Sequence, residues 1–375
     1  MQSIFALVFL LFSSTALAQS PVPAAPSIAA KSYLLLDFNS QQPLASLNEH
    51  ERIEPASLTK LMTAYLTFMA LKENKLKPDQ AVSVSQRAWR AGGSRMFIEP
   101  RKPVTVDELI RGMVVQSGND ASIALAEAIA GAEEVFAQTM NRQARRLGMK
   151  NTNFVNSTGL PHPQHYSTAH DLALVATAII RDFPEYYPLY STKEFRYNNI
   201  TQANRNRLLW TDPTVDGMKT GHTDAAGYCL ITSARRGATR LVSVLLGAAS
   251  ESARAAESRK LLNYGFQFYD SIRLYEKNQA VATLQVWKGG ADSVKAGVAG
   301  DLYLALPKGQ TEKLKATVES LQPLLAPIRA GQQVGTMKLT LDGRPYRELP
   351  IVALESVPLA SVFGRAWDTL RLMFK

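Results

Sequence analysis

The sequence predicts an α/β protein of the α+β type, with a large mixed domain, a smaller β-rich domain and a C-terminal amphipathic helix. Four observations support this prediction. Residues 32–48 favour β-structure, helical periodicity dominates residues 57–181, and residues 228–248 favour β-structure again. Beyond residue 273 the helical patterns fade and short strands dominate. We therefore expect domains at residues 30–270 and 273–355, followed by the helix at residues 357–375.

Local patterns predict the individual elements. SYLLLDF and QPLASLN form a hairpin around Asn39-Ser40-Gln41, and a helix runs from Ser57 to about Lys72. Further helices are expected near residues 105–115, 120–130, 133–147 and 168–181, the last capped by Ser167 or Thr168. YCLITSAR and TRLVSVLLGA form a second hairpin around Arg236-Gly237, and a helix over residues 252–269 closes the first domain. The β-rich domain contains the strands AVATLQVW, LYLALP, VGTMKLTLDG and LPIVAL.

The N-terminus has the pattern of an export signal over residues 1–18, with an apolar run from Ile4 to Phe12 and a small-x-small site at Ala16-Leu17-Ala18. The formal net charge of +10 favours anionic partners. Nucleic acid is not expected, because an exported chain rarely meets it and no long basic run is present. Anionic lipid or an acidic polymer outside the cytoplasm fits better.

Cysteine and histidine offer two alternative sites that the sequence does not favour. Cys229 is the single cysteine, and its apolar surroundings predict a buried strand thiol rather than a nucleophile. His162, His165 and His170 raise the alternative of a zinc site. Their loop is made rigid by two prolines, however, and no carboxylate-rich cluster completes a ligand set. We expect histidines that are bystanders or lie at a substrate rim, with no metal and no cofactor.

Three short motifs indicate the chemistry. Ser57 and Lys60 in ASLTK lie one turn apart at a helix start, where the simpler interpretation of Ser57 is a helix N-cap. SGN at 117–119 and KTG at 219–221 follow in the order of the serine acyl-transfer set S-x-x-K, S-D-N and K-T-G. All three in this order favour the catalytic interpretation.

This chemistry requires those residue types. A serine hydroxyl is a weak nucleophile, and Lys60 can take its proton only if the pKa of the lysine is lowered by burial and by a second cation. We expect Lys219 to supply that cation. Ser117 can relay the proton to the leaving amine, and Asn119 can hold Lys60 and the substrate amide.

The segment around KTG is predicted to bind the substrate. We expect a solvent-side turn at 219–221, followed by a strand edge on which an extended peptide could pair. Lys219, Thr220 and Arg205 would meet a C-terminal carboxylate. The backbone N–H groups of Ser57 and His222 are candidates for the oxyanion hole.

Six segments resemble the low-molecular-mass penicillin-binding proteins, specifically the D-alanyl-D-alanine carboxypeptidases: EPASLTKLMTAY, LIRGMVVQSGNDAS, LGMKNTNFVNSTGLP, YSTAHDLA, NRNRLLW and VDGMKTGHTDAAGYCLITSA. The resemblance spans about residues 30–375. It implies a penicillin-recognising serine transferase fold, like that of the β-lactamases, and removal of the terminal D-Ala from peptidoglycan pentapeptide stems. It also implies covalent inhibition by β-lactams. The matching site positions are Ser57, Lys60, Ser117, Asn119, Lys219, Thr220, Gly221, His222 and Arg205.

Other activities remain open on the same motifs. An endopeptidase or a transpeptidase differs mainly in the acceptor. A class A β-lactamase adds a glutamate after the second motif, and no glutamate lies between Glu134 and Glu185, so bound penicillin should leave slowly. A non-enzymatic penicillin sensor would need a transmembrane helix, which the sequence does not indicate.

The tail PLASVFGRAWDTLRLMFK is predicted to be an amphipathic helix, with Phe363, Trp367, Leu370 and Phe374 on its apolar stripe. Packing on its own domain is one alternative. The bulky aromatic residues, the basic polar face and the family resemblance favour a helix lying in a membrane interface. We therefore expect an exported enzyme at the periplasmic face of the cytoplasmic membrane.

Overall fold

The computed structural model describes residues 22–374, so the export signal predicted over residues 1–18 lies outside the described residues. The first part of the chain contains, in order, β1 (Ser32–Asp37), β2 (Pro43–Leu47), a 3-10 helix (Ala56–Thr59), α1 (Lys60–Lys72), β3 (Ala81–Val82), α2 (Gln86–Trp89), β4 (Val104–Thr105), α3 (Val106–Val115), α4 (Asn119–Ala130), α5 (Glu133–Arg146), α6 (Ala169–Asp182), a 3-10 helix (Tyr187–Ser191), β5 (Glu194–Tyr197), β6 (Ile200–Ala203), α7 (Leu208–Thr211), β7 (Val215–Thr223), β8 (Gly227–Arg236), β9 (Thr239–Ala248) and α8 (Glu251–Phe268).

The second part of the chain is rich in strands. It contains β10 (Tyr269–Tyr275), β11 (Ala280–Trp287), β12 (Ser293–Gly297), β13 (Leu302–Pro307), a 3-10 helix (Thr311–Lys313), β14 (Leu314–Ser320), β15 (Leu324–Leu325), β16 (Gln333–Leu341), β17 (Arg344–Ala353) and finally α9 (Val362–Met373).

A five-stranded antiparallel sheet, in the order β2-β1-β9-β8-β7, organises the first part. Successive side chains of a strand point to opposite faces, and β1 shows this directly. Leu34 and Leu36 join the core formed with α1 and α3 to α6, whereas Tyr33 and Leu35 join the core under α8. The sheet is therefore covered on both faces, and β7 lies at its edge.

The β-rich part has a hydrophobic core of its own. Its six-stranded sheet has the order β14-β16-β17-β12-β11-β15, and β10 pairs with β13. Side-chain hydrogen bonds connect it to the first part: the Gln42 amide donates to the Tyr346 hydroxyl at 3.0 Å, and Ser271 donates to Asp37 at 3.2 Å. In the part of the chain that the structure describes, every helix is too short or too polar to cross a membrane.

The structure confirms most of the predicted elements. Both hairpins form, α8 is within one residue of its predicted ends, and Thr168 caps α6 by accepting from the Asp171 N–H at 3.0 Å. The turn predicted at 219–221 is wrong: those residues are the buried interior of β7. Ser57 does not cap α1, since Thr59 holds that position.

Gly159 brings the loop over residues 153–166 into close contact with the 3-10 helix that contains Ser57. Its φ is +81°, in the left-handed region that favours glycine. A Cβ at this position would lie 1.7 Å from the carbonyl oxygen of Ala56, which is backbone and cannot rotate away. Ala56 directly precedes Ser57, so the loop and the serine share one close backbone contact.

We predict that Gly159→Ala slows acylation of Ser57 by penicillin at least about tenfold, because a displacement of about 1 Å at a reacting group can cost a hundredfold. The matched control is Gly131→Ala, which has a similar φ of +78° but open space around the new methyl group. That control should cost about 1–2 kcal/mol in stability from backbone strain and leave acylation unchanged. Thermal unfolding and the acylation rate of both variants test this, and equal rates in the two would contradict it.

Candidate active site

Ser57 and Lys60 meet at the junction between the first 3-10 helix and α1. Lys60 is 1% exposed, and its Nζ lies 2.9 Å from Ser57 Oγ. The same amine contacts two further oxygens, Asn119 Oδ1 at 2.7 Å and the carbonyl oxygen of Thr158 at 2.6 Å. The Lys60 amine therefore faces three oxygen atoms, one in each of its three bonding directions. When the amine is neutral it has two N–H bonds, and its lone pair can accept the Ser57 proton.

The surroundings of Lys60 favour that neutral form. Burial, followed by the positive charge of Arg205, lowers the pKa of Lys60 to about 7, while Asp120 and Glu133 oppose the shift. The cation predicted for this effect was Lys219, and the structure assigns it to Arg205 instead. Lys219 is itself buried, and burial together with Lys60 and Arg205 holds its pKa well below the usual value.

The SGN motif forms the N-terminal end of α4, as predicted. The Asn119 side chain donates to the carbonyl of Gly92 at 2.7 Å, so its Oδ1 is left to accept from Lys60. The backbone N–H of Asn119 donates to the carbonyl of Ser94 at 2.7 Å. The next residue, Asp120, accepts from the backbone N–H groups of residues 96–98. These bonds fix the segment 92–98 against the motif.

Ser117 occupies an uncommon position in this motif. Its φ is 67°, a left-handed conformation that costs a non-glycine residue about 1–2 kcal/mol. The side chain is 3% exposed and lines the cavity described below. Among the described residues, its hydroxyl has no hydrogen-bond partner. A buried hydroxyl without a partner can receive a hydrogen bond from a ligand at little desolvation cost.

The carbonyl of Thr158 reaches Lys60 because a buried carboxylate holds its loop. Glu133, which is 4% exposed, accepts from the backbone N–H of Ser157 at 2.9 Å and from its hydroxyl at 2.6 Å. Arg87 pairs with the same carboxylate at 2.7 Å. The loop therefore contributes a backbone acceptor to the site, which side-chain motifs cannot reveal.

KTG lies on the edge strand β7, directly beside the nucleophile. A Cβ on Gly221 would lie 3.2 Å from the carbonyl oxygen of Pro55 and 3.3 Å from Leu58, so a side chain there would crowd the Ser57 turn. Lys219 donates to the carbonyl of Thr220 at 2.9 Å. The turn that contains Ser57 can therefore approach β7 closely, because Gly221 has no side chain at the point of contact.

Arg254 on α8 is a site residue that sequence analysis missed. It is 4% exposed and directs its guanidinium at the carbonyls of Gly221 and Arg205, at 3.5 and 3.4 Å. The guanidinium carbon of Arg254 lies 5.6 Å from the centre of the Tyr228 ring. Burial lowers the pKa of Arg254 from its usual value. Only the packing of α8 on the sheet brings this residue to the site, so no local pattern announces it.

These residues surround a cavity of about 300 Å³. It is lined by seven of the nine predicted site residues, namely Ser57, Ser117, Asn119, Arg205, Thr220, Gly221 and His222, together with Gly93, Ser94, Thr158, Gly159, Leu160, Thr223 and Arg254. Lys60 and Lys219 lie in the wall, within hydrogen-bond distance of Ser57 and Thr220. No aspartate or glutamate is among the lining residues that the structure describes.

The histidines of the 162–170 loop do not converge in the structure. The backbone N–H of Val155 donates to His165 Nδ1, and His165 Nε2 lies 2.8 Å from the Thr59 hydroxyl, so His165 braces the loop. Burial lowers its pKa to about 4. His170 instead packs on the ring of His50. Across residues 22–374, no three candidate ligand side chains form a metal-binding group.

Cys229 lies on β8, opposite Gly221 of β7, and is fully buried, as predicted. Burial raises the pKa of its thiol to about 11. A thiol in that state is a poor nucleophile.

Comparison with known proteins identifies the family. The sequence profile described as D-alanyl-D-alanine carboxypeptidase matches residues 19–250. A second profile, the C-terminal domain of penicillin-binding protein 5, matches residues 269–359. The chain belongs to the D-alanyl-D-alanine carboxypeptidase family. The family, the fold class and the enzyme type predicted from the sequence are thereby confirmed.

Individual relatives agree with this assignment. The D-alanyl-D-alanine carboxypeptidase DacA of Escherichia coli strain K12 is 42% identical over 94% of this chain and 90% of its own length. The crystal structure of penicillin-binding protein 5 from Haemophilus influenzae has a TM-score of 0.88 and 40% identity, covering 90% of this chain and 99% of that chain. Penicillin-binding protein D2 of Listeria monocytogenes, in its ampicillin-bound form, has a TM-score of 0.60 and 31% identity over 65% of this chain and all of its own.

We predict that acylation of Ser57 by penicillin rises with pH through a midpoint at about 7. Lys60 accepts the serine proton only when neutral, and below its pKa of about 7 the neutral fraction falls. The rate should therefore drop about tenfold for each pH unit well below that value. A second-order acylation rate measured from about pH 5 to about pH 9 tests this, and a flat profile would exclude Lys60 as the base.

Two variants sharpen this measurement. Lys60→Arg should abolish acylation at every pH, because a guanidinium does not deprotonate in proteins. Arg205→Gln removes the cation that lowers the pKa of Lys60, so its midpoint should move to higher pH whatever happens to its maximal rate. A midpoint that moves to lower pH in Arg205→Gln would contradict the electrostatic account.

Proposed function

We propose that this protein removes the terminal D-alanine from peptidoglycan pentapeptide stems through an acyl-enzyme at Ser57. The observation that carries this proposal is the 2.9 Å contact between Ser57 Oγ and a buried Lys60 amine with a pKa of about 7. That contact opens onto a cavity lined by the SGN and KTG motifs. A nucleophile within hydrogen-bond reach of a base, itself oriented by further groups, has the arrangement required for covalent catalysis.

In this proposal, acylation begins with transfer of the Ser57 proton to neutral Lys60. The Ser57 oxygen attacks the carbonyl carbon of the penultimate D-Ala, and the backbone N–H groups of Ser57 and His222 stabilise the oxyanion. The proton then passes to the nitrogen of the departing D-Ala, with Ser117 as the relay. The unpartnered hydroxyl of Ser117 supports this role. Water then hydrolyses the ester and restores Ser57.

The substrate carboxylate is proposed to bind at the β7 side of the cavity. Thr220 and Arg205 line it, and the buried Arg254 adds a second guanidinium that the sequence analysis had not included. A free carboxylate is best bound by a charge together with hydrogen-bond donors. The open edge of β7 further supports addition of the stem peptide as an extended strand.

The same site supports slow release of bound β-lactams. In class A β-lactamases a glutamate activates the water that clears the acyl-enzyme. None of the described lining residues is a carboxylate, and Glu133 is committed to Ser157 and Arg87 behind the loop. We therefore propose β-lactams as long-lived covalent inhibitors of this protein. Endopeptidase and transpeptidase activity on the same fold remain the alternative.

We predict that Ser57→Ala abolishes release of D-Ala from a muramyl pentapeptide, by at least about a thousandfold, because loss of the nucleophile removes the acyl-enzyme route. The matched control is Ser252→Ala, an exposed serine on α8, which should keep full activity. Free D-Ala is the quantity measured. Release that survives in Ser57→Ala would overturn the proposal. A wild-type chain that forms a penicilloyl adduct but releases no D-Ala would favour the transpeptidase or endopeptidase alternative.

We also propose that the protein is exported and that α9 lies on the periplasmic surface of the cytoplasmic membrane. The apolar stripe of α9 points away from the β-rich part: Phe363 is 88% exposed, Trp367 63% and Phe374 90%, and Leu370 lies on the same stripe. The other side contacts the β-rich part, where Asp368 accepts from the backbone N–H of Lys288. A helix with bulky aromatic residues on one face and basic residues on the other binds membrane interfaces.

The domain limits proposed for this arrangement need two adjustments. The predicted boundary between residues 270 and 273 falls inside β10, which pairs with β13 from Tyr269 onward, and residues 357–360 contact the β-rich part. Val357 pairs with Ile328, and Leu359 pairs with Gly289. We therefore propose that the membrane segment begins at Ser361, the N-cap of α9.

We predict that removal of residues 361–375 releases the protein from vesicles that contain anionic lipids, while acylation by penicillin is unchanged. The apolar surface that enters the membrane interface is then gone, and the catalytic cavity lies on the other domain. Sedimentation with vesicles is the measurement. Phe363→Glu should weaken sedimentation, whereas Val135→Glu, at an exposed apolar residue on α5, should not. A truncated chain that still sediments with vesicles would refute the anchor.

A further inference from the structure

A second cavity lies beside the catalytic one and has no role in the proposed reaction. Its volume is about 920 Å³. We call it the basic groove and define it by Trp89, Arg90, Arg95, Phe97 and Arg101. Its ring surfaces are accessible: Trp89 is 38% and Phe97 37% exposed. It therefore offers both positive charge and flat apolar surface to a ligand.

The basic groove and the catalytic cavity share one wall. Gly93 and Ser94 line the catalytic cavity, and the next residue, Arg95, lines the groove. This segment is held rigidly: the carbonyl of Ser94 accepts from Asn119, and the backbone N–H of Phe97 donates to Asp120 at 2.8 Å. A ligand that continues out of the catalytic cavity past Ser94 thus meets the groove directly.

The charge of the basic groove is not compensated by the protein. In the described part of the chain, Arg90, Arg95 and Arg101 have no carboxylate within 4.0 Å. Glu99 also lines the groove, but its carboxylate is paired with Lys102 at 2.8 Å and accepts from the Asn198 side chain at 2.8 Å. Three guanidinium groups on one surface favour a ligand with several carboxylates.

The catalytic cavity is too small for a whole stem peptide. Its volume of about 300 Å³ is at the lower end of the range of roughly 300–1,000 Å³ typical of small-ligand sites. The two terminal residues of the stem enter it, so the upstream residues must lie on the surface outside. Those upstream residues carry the free carboxylates of the stem: a glutamate linked through its side chain leaves its α-carboxylate free, and a diamino acid with two carboxyl groups leaves a second one.

We propose that the basic groove binds the carboxylate-bearing upstream part of the stem peptide whose D-Ala-D-Ala end occupies the catalytic cavity. Arg90, Arg95 and Arg101 pair with the carboxylates, and the rings of Trp89 and Phe97 contact the apolar parts. This inference rests on the proposed function and adds a determinant of substrate preference to it. It makes a full-length stem with upstream carboxylates a better substrate than a short peptide that has the same D-Ala-D-Ala end but no upstream carboxylate.

The test compares two peptides on one triple variant, Arg90→Gln/Arg95→Gln/Arg101→Gln. The peptides are a muramyl pentapeptide and diacetyl-lysyl-D-Ala-D-Ala, whose only carboxylate is the C-terminal one. An exposed ion pair contributes up to about fivefold in affinity, so loss of three should lower kcat/KM for the pentapeptide about tenfold or more. The value for the tripeptide should stay within about twofold of wild type, since that peptide does not reach the groove.

Binding measured without turnover separates affinity from chemistry. In a Ser57→Ala background, the triple substitution should raise the Kd of the pentapeptide and leave that of the tripeptide unchanged. Amidation of the stem carboxylates should have the same effect on the wild-type groove. Arg142→Gln/Arg145→Gln/Arg146→Gln, at three exposed arginines of α5, is the charge-matched control and should leave both peptides unaffected.

The outcomes distinguish this inference from the proposed function. An equal fall in kcat/KM for both peptides, or no fall for either, would overturn the proposed role of the groove. A wild-type protein that releases D-Ala from neither peptide would instead refute the proposed function. If the triple variant does not fold, the single variant Arg101→Gln and the salt dependence of wild-type kcat/KM decide. Added salt should lower the value for the pentapeptide more than the value for the tripeptide.

Discussion

The site depends on one buried amine with three oxygen neighbours. Lys60 touches Ser57 Oγ, Asn119 Oδ1 and the carbonyl of Thr158, which belong to three separate segments of the chain. The carbonyl accepts only, and Asn119 Oδ1 must accept because its Nδ2 donates to Gly92. A neutral amine donates its two N–H bonds to these oxygens, so its lone pair faces the serine. The two acceptors thereby orient the base before any substrate arrives.

Two buried carboxylates maintain the geometry around Lys60 but disfavour its neutral form. Asp120 holds the 96–98 segment through backbone N–H groups, and Glu133 holds the loop that carries Thr158. Both favour the charged form of Lys60, yet burial and the charge of Arg205 prevail, and the pKa settles at about 7. The two carboxylates therefore hold the segments that surround the base, while burial and Arg205 lower its pKa to about 7.

Local patterns were sufficient for the motifs and most of the elements. Ser57, Lys60 and the SGN triplet lie at helix starts, which the helical periodicity of the sequence indicates. Thr168 caps α6, as the sequence predicts. KTG does not form the predicted solvent-side turn, because the helix start at Ser57 packs over strand β7 and buries it. Arg254 and the carbonyl of Thr158 reach the site only through tertiary packing, so no pattern of neighbouring residues encodes them.

Recognition of the substrate carboxylate and activation of the serine share the same cations. Arg205 lowers the pKa of Lys60, and Lys60 and Arg205 together lower that of Lys219. In the proposed reaction, a substrate carboxylate beside Arg205 offsets that positive charge and so raises the pKa of Lys60, which makes the lysine a stronger base. Ligand binding also displaces water from the cavity, which favours the neutral amine. Because these two effects oppose each other, the pKa of Lys60 stays close to its value of about 7 when the substrate is bound, so that the lysine can still take the proton of Ser57.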